Sequence, residues 1–177
     1  MEIKKYGIIY ADPPWSYRNK GVDGAAEKHY RTMSLTDIMA LPVSEIAADD
    51  SVLFLWVTYP MLQEGLNVIK AWGFTYKTIA FQWVKTYPKC GKFVFGIGNW
   101  TRSNSECCLL ATKGKPKRAN NSISQLIVSP ILKHSEKPAI TREKIKCLVG
   151  GDFRRWNFLH VLKQMAGMYG VMRLKAI

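Results

Sequence analysis

The sequence predicts an α/β domain built in three layers around a largely parallel sheet. Its middle holds the continuous apolar run Ser51 to Val57 (S-V-L-F-L-W-V), the pattern of a central strand covered on both faces. Short apolar runs of this kind alternate along the chain with segments of helical spacing. Turn and cap residues stand at most of the boundaries.

Taken in order, Tyr6 to Ala11 (Y-G-I-I-Y-A) reads as a short buried strand stopped by Asp12-Pro13-Pro14. Residues 16–33 read as a polar loop, and Ser34 opens a helix with Asp37 three residues on, a capping-box-like start. Pro60 to Trp72 carries apolar residues at helical spacing, with Gly73 where a C-terminal cap belongs. Thr75 to Lys85 reads as a strand, residues 86–104 as a Gly- and Lys-rich loop, and Cys107 to Ala111 as the next strand. A basic turn, Lys113-Gly114-Lys115-Pro116-Lys117-Arg118, follows it. Ile127-Val128 reads as a short strand and Thr141 to Val149 as a helix, with Pro138 just ahead. In open α/β sheets ligands bind beyond the C-terminal strand ends. Asp12, Thr58, Lys85 and Lys113 each follow a strand, so they are expected to gather on one rim.

The 177 residues fit one domain, 47% of them are apolar, and no repeat or linker divides them. Lys plus Arg minus Asp plus Glu is 26 − 13 = +13, which favours a polyanionic partner, nucleic acid before an anionic membrane surface, against the plainer reading of solvated lysine faces. No apolar run is long enough to span a bilayer, and Met1 to Lys5 lacks a signal core, so a cytoplasmic protein without membrane attachment is expected. Cys90, Cys107, Cys108 and Cys147 form no C-x-x-C pair and the three histidines are scattered, so reduced thiols and no metal site are expected. Oligomeric state is not legible.

Asp12-Pro13-Pro14-Trp15, directly after a strand, is the sharpest local signal. Its structural reading is a stiff turn: Asp begins turns, Pro fixes φ, and Trp covers a core edge. Its chemical reading concerns an aromatic exocyclic amine, whose lone pair is delocalised into the ring. A carboxylate and a rigidly aimed carbonyl can both accept hydrogen bonds from such an NH2 group, drawing the nitrogen towards a tetrahedral shape and freeing the lone pair. A nearby aromatic face can hold an extruded base. Asp12, the Pro13 carbonyl and the Trp15 ring fill these roles, with Pro14 fixing the turn.

Other residues carry weaker signals. Trp56, Trp72 and Trp83 lie in element patterns and read as core. Trp100, between Lys92 and Arg102, has two even readings, stacking on a base or packing. Lys113, Lys115, Lys117 and Arg118 read equally as phosphate contacts or as a soluble turn. Taken alone, Lys137 reads as a surface lysine, Tyr30 as a packing edge and Glu106 as a surface charge.

Eight ordered blocks carry a resemblance: A-D-P-P-W at 11–15, H-Y-R-T-M-S at 29–34, L-F-L-W-V-T at 53–58, A-W-G-F at 71–74, W-V-K-T at 83–86, N-W-T-R at 99–102, E-C-C-L-L-A-T-K-G at 106–114 and H-S-E-K-P at 134–138. Through them the chain resembles the DPPW-type N6-adenine methyltransferases, relatives of the eukaryotic mRNA adenosine methyltransferase catalytic subunit, in their bacterial and phage DNA-modifying branch. The resemblance runs from about Gly7 to Val149. It implies a Rossmann-like fold, S-adenosylmethionine as methyl donor and transfer to the N6 amine of adenine in nucleic acid, DNA before RNA. It implies Asp12, Pro13, Pro14 and Trp15 as the catalytic loop, and Asp12, Ser135 and Lys137 against the donor, Lys137 at its carboxylate end. On the substrate side it implies Tyr30, Lys85, Trp100, Arg102 and Glu106, with the loop 87–104 closing over the base.

The resemblance stops after Val149. Residues 1–150 therefore read as the methyltransferase domain and 151–177 as its atypical tail, with the last strand missing or altered. Phe153 to Met165 reads as a basic helix, and the tail from about 152 as a frame-shifted continuation in which donor contacts are lost. The alternative function is a catalytically weakened or inactive nucleic-acid-binding relative.

Overall fold

The computed structural model of the chain describes residues 5–16, 32–98, 100–133 and 136–150, together with two backbone strand segments at 158–161 and 175–176. The elements are β1 (Tyr6–Ala11), α1 (Leu35–Met39), α2 (Val43–Ile46), β2 (Ala47–Val57), α3 (Leu62–Ala71), β3 (Thr75–Thr86), β4 (Ser105–Lys113), β5 (Leu126–Pro130), α4 (Ile140–Val149), β6 (Phe158–Val161) and β7 (Lys175–Ala176). Among the described residues no helix is long and apolar enough to cross a membrane.

Local chemistry sets the boundaries. Ser34 caps α1: its hydroxyl oxygen accepts from the Asp37 N–H at 3.1 Å and its O–H donates to the Asp37 carboxylate at 2.7 Å. A cap of this type is worth about 1 kcal/mol, a large share for a helix of five residues. α3 ends where Gly73 takes a φ of 79°. Seven strands line up as β5-β3-β4-β2-β1-β6-β7. β2 lies in the interior, and Ser51 to Val57 is buried residue after residue, as its unbroken apolar run requires.

Strand alternation then divides the core. Ile9, Ala11, Leu53, Leu55, Val57, Cys107 and Leu109 face Ile38 of α1, Val43 of α2 and Val68 and Ile69 of α3. Ile8, Tyr10, Phe54, Trp56, Phe81, Trp83 and Cys108 face Ile145 and Val149 of α4. Helices thus cover both faces, giving the three layers expected. The neighbours Cys107 and Cys108 point to opposite faces, both buried as free thiols.

Two expectations are corrected. The sheet is mixed rather than largely parallel: β1, β2 and β6 run together and β3 runs with β5, but β4 is antiparallel to both β2 and β3. A parallel neighbour needs a crossover, usually a helix. Residues 87–104 have no helical spacing and turn back through a Thr86–Phe93 bridge, so β4 returns antiparallel. The last strand is not missing either. Residues 158–161, read as part of a basic helix, form β6 and pair in parallel with β1 from Ile8–Phe158 to Ala11–Val161. Without β6 one ladder of β1 would be left unpaired, a template for any extended segment, and Phe158, Leu159 and Val161 have strand propensity.

Candidate active site at the C-terminal rim

β1, β2 and β3 end on the same rim, and the reversal of β4 brings its first residues there too. Cys107 pairs with Val57 and Glu106 with Trp83. Alternation continues past the strands. Asp12 follows Tyr10 by two residues, Lys85 follows Trp83 by two, and Glu106 precedes Cys108 by two. All three therefore project on the face that α4 covers. Lys137, just before α4, closes the group from above.

The result is a chain of alternating charge. The Lys137 ammonium lies 3.3 Å from Asp12 Oδ2 and 3.0 Å from Glu106 Oε2, while Glu106 Oε1 pairs with the Lys85 ammonium. Lys137 is enclosed to a degree lysine reaches only when paired, its side chain 9% exposed. Two indole faces complete the floor: Lys137 Nζ stands 5.4 Å from the Trp56 ring centroid and Lys85 Nζ 5.0 Å from that of Trp83. The rings meet edge to face at 6.4 Å, and the Trp56 indole N–H donates to the Tyr10 hydroxyl at 2.7 Å.

Electrostatics follow from this enclosure. Burial alone would raise the Glu106 carboxyl, but the ammonium groups of Lys137 and Lys85 outweigh it and hold the carboxyl at about 2. Burial pulls Lys137 down, and the Asp12 and Glu106 carboxylates override it, keeping the ammonium charged well above the usual lysine range. Burial pushes the Cys107 thiol up to about 11, with Glu106 adding to it, and pushes Cys108 and the Tyr10 phenol up as well. These three groups stay neutral at physiological pH, and neither thiol serves as a thiolate nucleophile.

The D-P-P-W turn is rigid. The Trp15 N–H donates to the Pro13 carbonyl at 2.9 Å and the Met33 N–H to the Pro14 carbonyl at 2.9 Å. Each oxygen has a second lone pair, so the Pro13 carbonyl can still accept. Trp15 corrects the sequence expectation. Its side chain lies in the opposite cluster, the one covered by α1 to α3, 3% exposed, and its indole N–H donates to the Trp56 carbonyl at 3.1 Å. The ring offers no open face for a base. The paired prolines carry the chain across the sheet end, so Asp12 and Trp15 leave the turn on opposite sides, and the large ring is spent on anchoring it.

The other expected residues divide as follows. Asp12, Lys85, Glu106 and Lys137 come together. Lys113 does not: the antiparallel course of β4 carries it to the far rim, opposite Ser51, where its ammonium reaches the Ser44 carbonyl at 3.3 Å. Trp100 and Arg102 stand in the segment between β3 and β4, where Trp100 is fully exposed and the Arg102 guanidinium lies over Phe95. Tyr30 and Ser135 lie outside the described residues. Trp56, Trp83 and Tyr10 were missed as site residues. Their signal, an aromatic two residues before a rim position on a strand, was present in Tyr10/Asp12 and Trp83/Lys85. A second polar group, Tyr59 with Ser105 at 2.8 Å and Gln82, was also missed, on the far face of β3 and β4.

The chain compares with known proteins as follows. The MT-A70 family profile matches residues 6–161, through β6 and so beyond the resemblance drawn from the eight blocks. The Type II methyltransferase M.MunI of a Mycoplasma species is 34% identical over 185 residues, covering 87% of this chain and 76% of that protein. The N(6)-adenosine-methyltransferase MT-A70-like protein of Drosophila melanogaster is 33% identical over 138 residues, 77% of this chain and 21% of that protein. The human N(6)-adenosine-methyltransferase catalytic subunit METTL3 is 30% identical over 138 residues, 77% of this chain. The chain spans about a fifth of the length of these two animal relatives (21% and 22%). With a Rossmann-like α/β fold and matches of this extent, the chain belongs to the MT-A70 family of methyltransferases.

Proposed function

We propose that the chain transfers a methyl group from S-adenosylmethionine to the N6 amine of adenine in nucleic acid, with DNA before RNA as substrate. The observation that carries this is the buried Asp12 carboxylate beside a proline-fixed carbonyl, at the rim where the strands end and 3.3 Å from an enclosed ammonium. Asp12 and the Pro13 oxygen are the acceptors that the amine needs. A carboxylate has about four acceptor sites and can hold several donors at once. Lys137 bridges Asp12 and Glu106 and holds both in place, and with Lys85 it balances their charge. Trp15 serves the chemistry by fixing the turn from below.

The donor set suits the methyl donor. Two of the three Lys137 N–H groups face Asp12 and Glu106, which leaves one for a carboxylate arriving from the donor. Ser135 would share that end. When bound, S-adenosylmethionine supplies an electrophilic methyl group on a sulfonium. The chain's own task is then to orient the amine, hold its lone pair out of conjugation and keep the opposing charges fixed. The net charge of +13 and the resemblance to DNA-modifying enzymes support a nucleic-acid substrate.

The test is a labelled methyl-transfer assay on duplex DNA, single-stranded DNA and RNA, with mass analysis of the nucleosides. N6-methyladenine in at least one substrate supports the proposal, and its appearance in DNA at a higher rate than in RNA supports the order given. Nucleic-acid binding without transfer to any of the three overturns it in favour of the non-catalytic relative.

A further inference from the structure

Contacts from both ends of the D-P-P-W turn converge on Trp56, near the end of β2. β1 and β2 stay in register up to Ala11–Leu55, so Trp56 stands one residue beyond that pair, level with Asp12. Its indole N–H donates at 2.7 Å to the hydroxyl of Tyr10, two residues before Asp12. Its main-chain carbonyl accepts the Trp15 indole N–H at 3.1 Å, at the other end of the turn. Its ring centroid lies 5.4 Å from Lys137 Nζ, and Lys137 pairs with Asp12. The ring also meets Trp83 edge to face, and Trp83 carries the Lys85 ammonium on its own ring.

Packing alone does not call for this arrangement. Tyr10 and Trp56 are both fully buried, in the cluster with Ile8, Phe54, Phe81 and Ile145. Phe at either position would fill the space with no polar atom to satisfy. A buried hydroxyl or indole N–H left unpaired is costly, so the two polar groups are tolerated only as partners. Once satisfied, a buried polar pair fixes one geometry where apolar contacts permit several. Phe54 supplies the contrast. It lies on the same strand and face, two residues earlier, and stacks on Phe81 at 6.1 Å with 14° between the planes. That contact is apolar throughout.

We infer that Trp56 is a positioning residue for the reaction, acting with Tyr10: the pair sets where the Asp12 carboxylate stands relative to the Pro13 carbonyl, and so whether both acceptors reach one amine together. The inference rests on the amine-holding role proposed for Asp12 and adds what aims it. Its leverage is geometric, since a misplacement of about 1 Å can cost on the order of 10²-fold in rate.

The experiment takes two readouts from the full chain: steady-state methyl transfer to an adenine-containing oligonucleotide, and donor-free binding of oligonucleotides bearing adenine or purine at one position. Tyr10→Phe keeps the ring and removes the acceptor of the Trp56 N–H. Trp56→Phe keeps an aromatic ring and removes the donor. Each is expected to lower kcat about tenfold, to raise KM no more than about threefold, and to cut the preference for adenine over purine about threefold with purine affinity unchanged. The double variant should lose little more than Trp56→Phe alone, because both changes break one bond. Phe54→Leu is the control: its Tm falls, while kcat and the adenine preference stay within about twofold of the parent.

Tyr10→Phe and Trp56→Phe at parent level in both readouts overturn the inference. So do fully additive losses in the double variant, or a Phe54→Leu loss as large as that of Tyr10→Phe, which would mean general loosening of the core. A parent with neither transfer nor adenine preference sinks the reading of Asp12 and this inference with it. A parent with both, matched by Tyr10→Phe and Trp56→Phe, sinks the inference alone.

Discussion

The two rims of the sheet carry similar residues to different ends. At the far rim Asp50 accepts from the Lys115 backbone N–H at 2.7 Å and Lys113 reaches a carbonyl, all in an exposed turn. At the near rim two carboxylates and two ammonium groups are threaded into one enclosed chain over indole faces. In water the far charges are screened and interchangeable. Out of water, each near charge depends on its neighbours, and removal of one exposes the others. Charge type alone does not make a site; desolvation with fixed partners does.

The sharpest way to break this contrast is Asp12→Ala. Methyl transfer is expected to fall by on the order of 10²- to 10⁴-fold, while donor-free oligonucleotide binding persists, weakened by no more than about tenfold. Activity equal to the parent would remove Asp12 from the chemistry. Next in size is Lys137→Met, which leaves two carboxylates enclosed without their shared cation. Urea unfolding at pH 7 should show a loss of about 3–5 kcal/mol. A loss below 1 kcal/mol would mean that the near rim is as well hydrated as the far one.

Acid separates the rims next. Glu106 has its folded value at about 2 against an ordinary 4.5, so its ion pairs stabilise the fold fully above pH 4.5 and lose that contribution as pH falls towards 2. The contribution amounts to about 3 kcal/mol, read as the extra loss of unfolding free energy in the parent relative to Glu106→Gln over that window. Lys137 acts in the opposite direction. Its raised value keeps its stabilisation present below the usual lysine range and lets it fade only as pH rises beyond. The smallest effect belongs to the far rim: Lys113→Ala should change stability by less than about 0.5 kcal/mol and leave methyl transfer unchanged.

How much of this the sequence discloses depends on the range of the cause. Local causes were legible. The Ser34 cap, the Gly73 stop, the unbroken burial of β2 and the turn at Asp12-Pro13 all follow from neighbours in the chain. Non-local causes were not. Lys113 was assigned to the wrong rim because the direction of β4 is decided by pairing, although the missing helical spacing in 87–104 already hinted at it. Trp15 looked like a stacking face because nothing local states on which side of a double-proline turn a ring will bury. Trp56 and Trp83 read as core, and they are core, yet their ring faces also carry the site's cations. β6 was lost under a basic, helix-like composition that the open edge of β1 overrode.

The proposed chemistry requires an exocyclic amine held by Asp12 and the Pro13 carbonyl. It is tested most directly by a binding cycle without donor: single-stranded oligonucleotides bearing adenine or purine, which lacks the amine, against the parent chain and Asp12→Ala. The parent is expected to prefer adenine by about tenfold or more, as a hydrogen bond to a charged group implies, and Asp12→Ala is expected to lose most of that preference. An adenine preference that survives intact in Asp12→Ala, or none in the parent, contradicts the account.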